Sequence, residues 1–456
     1  MNDPHSNGRP TKVRFMVIAA LCVSAMIAYA QRNTISIMER EIAAELQLDK
    51  HQMGWVMSAF FLTYAAFQLP TGWLAKTAGT RKALTLFVAT FSAAACLFAA
   101  AGNLIALLIS RLAMGAAQSG IFPCAVVTIS KWLPERRRSL SSGLLAAAMS
   151  VGAAIGVALI GWMLTSLGWR ISYFVFCLPG FLFAACFWSW FRDDPREHAA
   201  VNAAELAIIG APPHQPAGAS PRLVDDWQEP GASARRLIAQ NHSTPWARLF
   251  TSVPVMAFCA QQVFRAVGYI FFATWFGTYL RETHHVDSQE AGLLNSLPLL
   301  AVVVGSPVGG VLSDWIFVRT GSKRWSRQGV AAGSQFVCFA LILLSMTISD
   351  PTLAVLLISG GSFCAAFGGQ CAYTTAIDLG GRHVAMVFSL MNMGGNIGAF
   401  AFPIVVPYLL NEDPNVPGSG NWELVLYVFA AMYLAAALCW LLADPTKSVD
   451  GEGVTE

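Results

Sequence analysis

Three arginines, Arg32, Arg111 and Arg265, stand inside long apolar stretches of a 456-residue chain. A guanidinium at the centre of a membrane helix costs about 2.5–3.5 kcal/mol on the insertion scale, so it persists where it faces water, a partner or a ligand. No Asp or Glu falls within the apolar stretches that hold these arginines. Guanidinium groups without an internal carboxylate leave a positive cavity, and its fitting occupant is an anion, because Arg grips a planar carboxylate through two parallel hydrogen bonds. For Arg32 and Arg111 the alternative is a side chain that snorkels to the outer headgroups; Arg265 lies too deep for that. Uncharged polar residues gather at the same depth. Gln31 precedes Arg32, Gln118 follows Arg111 by two turns, and Tyr269 lies one turn beyond Arg265. Tyr64 and Gln68 share a helical face, and Gln370, Tyr373, Thr374, Asn392 and Asn396 occupy two later stretches. They suit a hydroxylated ligand, with hydrogen bonding between helices as the alternative.

The elements that must hold these residues are membrane helices. A span needs about 20 apolar residues, and that criterion predicts twelve: 15–38, 52–73, 83–101, 104–130, 140–165, 171–191, 253–280, 291–313, 328–349, 352–376, 384–410 and 424–443. At 1.5 Å per residue Arg32 falls about 26 Å into the first span and Arg111 about 10 Å into the fourth, both in the outer half; Arg265 falls about 18 Å into the seventh. The expected architecture is an all-α integral membrane protein of two six-helix halves, 1–191 and 251–456. A polar cytoplasmic linker, 192–250, joins them, with one short helix at 199–209. Composition agrees: 55% of residues are hydrophobic and 12% charged, about half the charge fraction of a soluble domain. The net charge of +3 is too small for a nucleic-acid partner. The ten Cys form no CxxC pair or His/Cys cluster, so they read as small core residues, with no metal or other cofactor expected. Basic residues crowd alternate loops, at Lys12 and Arg14, Lys76 to Lys82, Lys131 to Arg138 and Arg319 to Arg327, which puts both termini and the linker in the cytoplasm.

The halves echo one another. "GWLAKTAGTRK" follows the second span and "GGVLSDWIFVRTGSKR" the eighth, the equivalent place in a six-plus-six repeat. Repeated halves are a transporter architecture with the substrate between them near the midplane. Lys76, Arg81 and Asp314 in these loops are the expected gating residues. Runs of small residues such as "SVGAAIGVALIGW" allow close helix packing, static or sliding.

Taken together, "QRNTISI", "YAAFQLPTGWLA", "RLAMGAAQSGIFP", "KWLPERRRS", "LGWRISYFVF", "DDPREH" running on to Glu205, "ATWFGTYL", "GLLNSLPLL" and "MNMGGNIGAFAFPIV" resemble the major facilitator superfamily. More specifically they resemble its anion:cation symporter family of hexuronate, galactonate, glucarate and phthalate permeases and vesicular glutamate and sialic-acid carriers. The resemblance implies anion-binding roles for Arg32 and Arg111, matches Arg265 to an Arg of the vesicular glutamate branch, and places Tyr64 and the paired Asn residues near substrate. Proton-coupled relatives carry Asp before the first Arg and Glu seven residues after the second. Here those positions hold Gln31 and Gln118, which cannot carry a proton at physiological pH, and this argues against proton coupling. Lys76 likewise stands where the loop motif has an acid.

The expected function is secondary transport of a small organic anion (sugar acid, dicarboxylate or aromatic carboxylate) across the inner membrane. The protein is expected to act as a monomer in the lipid bilayer, with a co-transported ion possible. The rival readings are an exporter of drugs or cations, disfavoured by the all-arginine interior, and a non-transporting sensor of the same fold. No nucleophile motif, phosphate loop or metal-ligand spacing points to an enzyme.

Overall fold

Where helices break matters here as much as where they run. The computed structural model describes residues 9–209, 250–380, 384–411 and 420–446. The side chains of Lys76 and of residues 135–140 lie outside the described residues. Among the described residues ten helical segments are long and apolar enough to cross a membrane. One of them holds two crossings, because helix α7 (Glu135–Trp190) leaves helical geometry at Gly168, with φ 69° and ψ 168°, a conformation open essentially to glycine alone. The 28-residue α3 (Lys50–Thr77) completes the expected twelve. Its start is fixed by Asp49, whose carboxylate accepts from the Gln52 N–H at 2.7 Å while Gln52 returns the bond, a capping box.

The first helix of each half is broken at a matching place. Helix α1 (Val13–Asn33) gives way to α2 (Ile35–Leu46) at Thr34. Numbering on through α4 (Thr80–Ala100), α5 (Leu104–Gln118), α6 (Ile121–Trp132) and the linker helix α8 (Ala203–Ile209), α9 (Val253–Thr274) gives way to α10 (Phe276–Thr283) at Trp275. At the first break the Thr34 hydroxyl donates to the Gln31 carbonyl at 3.1 Å and the Ser36 hydroxyl to that of Asn33 at 2.9 Å, local bonds that compete with the helical ladder. At the second, the Trp275 indole N–H donates to the Pro403 carbonyl at 3.1 Å. That carbonyl lacks its helical donor because residue 407, four places on, is also proline.

This corrects the first predicted span. Helical structure runs on from 38 to Leu46, a 34-residue segment, so Arg32 stands about 28 Å along about 50 Å, near the middle rather than in the outer half. It also brings Glu39 inside the segment, 2% exposed, where no acid was expected. The short linker helix forms over Ala203–Ile209. Its Glu205 is fully buried and caps α1, accepting from the Val13 and Arg14 amides at 3.3 and 3.0 Å and from the Arg14 guanidinium at 3.4 Å.

The remaining helices are α11 (Ser288–Thr320), α12 (Val330–Ser345), α13 (Pro351–Gly380), α14 (Val384–Leu410) and α15 (Trp422–Leu442), with a π-helical turn, Arg324–Gly329, before α12. In the first set α1 packs on α7, and α3 and α4 on α5; in the second α9 packs on α14 and α15, and α11 on α13. Between sets α7 meets α11 and α3 meets α14. Small residues set the spacing: a Cβ on Gly152 would lie 2.4 Å from the Met26 backbone and one on Gly309 2.5 Å from that of Phe367.

The two sets are joined by polar contacts at the end remote from the linker. Arg281 of α10 holds both carboxylate oxygens of Glu41 on α2 at 3.0 and 2.5 Å, Lys50 meets Glu282 at 2.7 Å, and Thr278 donates to Glu39 at 2.6 Å. Toward the linker, charged loops tie each set to itself. The Arg81 amide donates to Asp193 at 3.0 Å just past the sixth crossing, and Arg324 pairs with Asp444 at 2.6 Å just past the twelfth. That correspondence supports the internal repeat. Asp314, an expected gating residue, is exposed and meets Arg327 at 3.3 Å within its own set.

Candidate substrate-binding site

A cavity of about 330 Å³ lies between the two sets of helices, within the usual range for small-molecule sites. The first set contributes Tyr29, Arg32, Tyr64 and Gln68; the second contributes Gln262, Arg265, Tyr269, Tyr373, Asn392, Asn396 and Tyr433. Six of the ten expected binding residues therefore line it: Arg32, Arg265, Tyr64, Tyr269, Asn392 and Asn396.

Arg32 is held by faces rather than by hydrogen bonds. Its guanidinium carbon lies 4.7 to 5.6 Å from the ring centres of Tyr29, Phe60, Phe61 and Tyr64. Aromatic faces attract a cation by about 0.5–2 kcal/mol each, enough to offset part of its burial cost while leaving its N–H donors uncommitted. Among the described residues it makes no hydrogen bond or ion pair, and its Nε is buried without a partner. Arg265 approaches from the opposite set. Its Nε and Nη2 both donate to the Gln262 side-chain oxygen, at 3.2 and 3.1 Å, one turn earlier on α9. The Asn33 amide donates to the Tyr269 hydroxyl at 3.2 Å, joining the residue after Arg32 to the helix that carries Arg265. Among the described residues no carboxylate comes within ion-pair distance of Arg32, Arg111 or Arg265.

The other four expected residues do not line the cavity. Arg111 is 1% exposed and turned into its own set, its Nε and Nη2 donating to the Val56 and Met57 carbonyls of α3 at 3.3 and 3.4 Å, with the Phe60 ring 5.0 Å away. It shares Phe60 with Arg32 and so buttresses the aromatic cage. Gln31 points toward α7, its amide donating to the Phe176 carbonyl at 2.7 Å. Gln118 is buried, and neither end of its amide finds a partner among the described residues. Gln370 is half-buried on α13 and is absent from the cavity lining. Tyr29, Gln262 and Tyr433 were missed; Tyr29 and Gln262 each sit three residues before an arginine, and that spacing is the signal that could have found them.

Chemically the cavity holds two guanidinium groups, phenol hydroxyls, amides and the Ser362 hydroxyl. It can bind an anion with polar substituents. A family model described as Major Facilitator Superfamily matches residues 21–403, with a second match over 261–456. A probable sulfoacetate transporter of Cupriavidus necator is 29% identical over 445 residues, covering 96% of each chain. A probable galactarate/D-glucarate transporter of Bacillus subtilis is 29% identical over 97% of this chain and 94% of its own. A D-galactonate transporter of Escherichia coli O6:H1 is 26% identical over 98% and 100%. Among solved structures, a bacterial homolog of the human lysosomal transporter Spinster, inward-facing and unoccupied, superposes with a TM-score of 0.70 at 17% identity, over 95% of each chain. A D-xylose–proton symporter does so at 0.69 and 12% identity, over 93% of this chain and 97% of its own.

Proposed function

The chain belongs to the Major Facilitator Superfamily, and from that premise we propose that it carries a small organic anion across the cytoplasmic membrane by alternating access. The carrying observation is that Arg32 and Arg265 face one cavity from opposite sets of helices, with no carboxylate among the described residues paired to either. The relatives named for sulfoacetate, galactarate, glucarate and galactonate support an anionic substrate of this size. The substrate bridges the two halves, 1–191 and 251–456. One acidic group meets the uncommitted N–H donors of Arg32, a second acidic or polar group meets Arg265, and the Asn392, Asn396 and Tyr269 side chains bond its hydroxyls.

Neutralising the buried Arg32 and the half-buried Arg265 lowers the cost of closing the cavity from water, so the substrate stabilises the occluded state by its differential affinity. With both termini cytoplasmic, the end joined by Arg281–Glu41 and Lys50–Glu282 is the outer one, and the described conformation is closed to the outside. Arg111, Gln31 and Gln118 act behind the lining, Arg111 by fixing Phe60. Lys76, Arg81 and Asp314 act on the cytoplasmic side, where Arg81 anchors the loop after α3 to Asp193.

A thermal-shift screen of sugar acids, dicarboxylates and aromatic carboxylates on the purified protein tests this. At least one anion is expected to stabilise the wild type and to lose that effect in Arg265→Ala. Equal stabilisation of both proteins removes Arg265 from the site.

A further inference from the structure

We propose that Glu39 is a proton-binding site that governs the outer gate, its proton taken from and returned to the external solution rather than carried across. The proposal rests on the alternating-access reading but not on the identity of the substrate. Glu39 belongs to α2 of the first half, is 2% exposed, and accepts from the Thr278 hydroxyl of α10, in the second half, at 2.6 Å. The contact spans the interface that must part when the outer side opens.

The charges around it are already matched. From α10, Arg281 is committed to both oxygens of Glu41 and to the Ile37 carbonyl at 3.0 Å, and Glu282 takes Lys50 of α3 and the Trp422 indole at 2.8 Å. His51 of α3 turns to Tyr408, with ring centres 4.4 Å apart. From α11 the facing group is Asn295, which donates to Ser36, while Asp287 and Glu290 at its start are exposed. On α7, Arg170 and Trp169 bind Glu45 at the far end of α2. α9 brings Tyr269, bonded to Asn33, and Arg40 on α2 itself is exposed. Two cations thus answer two acids, Glu41 and Glu282, and Glu39 is the odd carboxyl.

An ionised carboxylate removed from water without a cation costs several kcal/mol. A neutral carboxyl holding a hydroxyl avoids that cost. Closing the outer gate therefore takes up a proton at Glu39, and parting α2 from α10 hydrates the group and releases it on the same side. The sign follows: rising external pH favours the open gate and acid favours the closed one. One linked proton changes the ratio by at most about tenfold per pH unit.

Hydrogen exchange of the protein in lipid nanodiscs at pH 6 and pH 8, corrected for the intrinsic rate, reads the gate through peptides from 35–46 and 276–283. In the wild type both segments should exchange faster at pH 8. Glu39→Gln should hold them slow at both values, and Thr278→Val, which keeps the carboxyl but loses its donor, should keep the pH response with faster exchange at pH 6. A wild type without a corrected pH response, or a Glu39→Gln protein that responds as the wild type does, overturns the proposal. Thermal stabilisation by D-glucarate, measured on the same samples, separates the two readings. A pH-responsive gate in a protein that neither D-glucarate nor any other anion of the thermal-shift screen stabilises sinks the anion site alone, and the reverse result sinks the gate alone.

Discussion

Closure at the end joined by Arg281–Glu41, the outer side on the proposed orientation, can be opposed by one methyl group. Gly277 on α10 lies against the α2 backbone, where an added Cβ would fall 2.1 Å from the Ser36 carbonyl oxygen and 2.9 Å from its carbon. A carbon-to-oxygen contact needs about 3.3 Å, so the two helices would have to separate by about 1.2 Å. Both sides of the contact are backbone, and no rotamer change relieves it. Overpacking of this kind costs about 1–3 kcal/mol, and it is felt only while the outer gate is shut, which converts to a 5- to 150-fold shift toward the open state. All ten cysteines are free, so a cysteine-free background loses no covalent link. Spin labels at the exposed positions Ala44 and Thr283 can then report the gate by pulsed electron resonance. The unaltered gate should give one short distance, and Gly277→Ala a predominantly longer one. Gly102→Ala, with nothing within 4 Å, is the control. An unchanged distribution in a folded Gly277→Ala protein would refute the reasoning.

The linker helix and the second buried arginine give two further tests. Glu205→Ala strips α1 of its capping carboxylate and leaves Arg14 buried without its acid, a loss of about 3–5 kcal/mol that thermal unfolding in detergent should register; Glu205→Gln, which retains one acceptor oxygen, should lose less. Arg32→Ala should weaken anion binding by the value of a charge-assisted contact, about 1.5–3 kcal/mol, whereas Arg111→Met, acting only through Phe60, should cost clearly less by calorimetry. Equal losses would return Arg111 to the cavity wall.

Helix number, the two-set plan and most of the polar side chains that face the cavity could be read from apolar length and from polar residues set at one depth. What could not be read has identifiable causes. Glu39, Arg40 and Glu41 end the apolar run at 38, yet Glu41 is neutralised by Arg281 from another helix, and a charge paired across an interface no longer marks the water boundary. Arg111 looked equivalent to Arg32 by type and depth. Only the neighbouring helix distinguishes them, since it offers one carbonyl oxygens and the other ring faces. The break at Trp275 depends on a carbonyl freed by Pro407, more than a hundred residues away, and no local pattern carries that.

A structure solved with a stabilising anion bound tests the central claim most directly. The account predicts acidic oxygens of the ligand about 2.7–2.9 Å from the nitrogens of both Arg32 and Arg265, with the aromatic cage unchanged. An anion lodged elsewhere, or either guanidinium paired to a carboxylate of the protein itself, would contradict it.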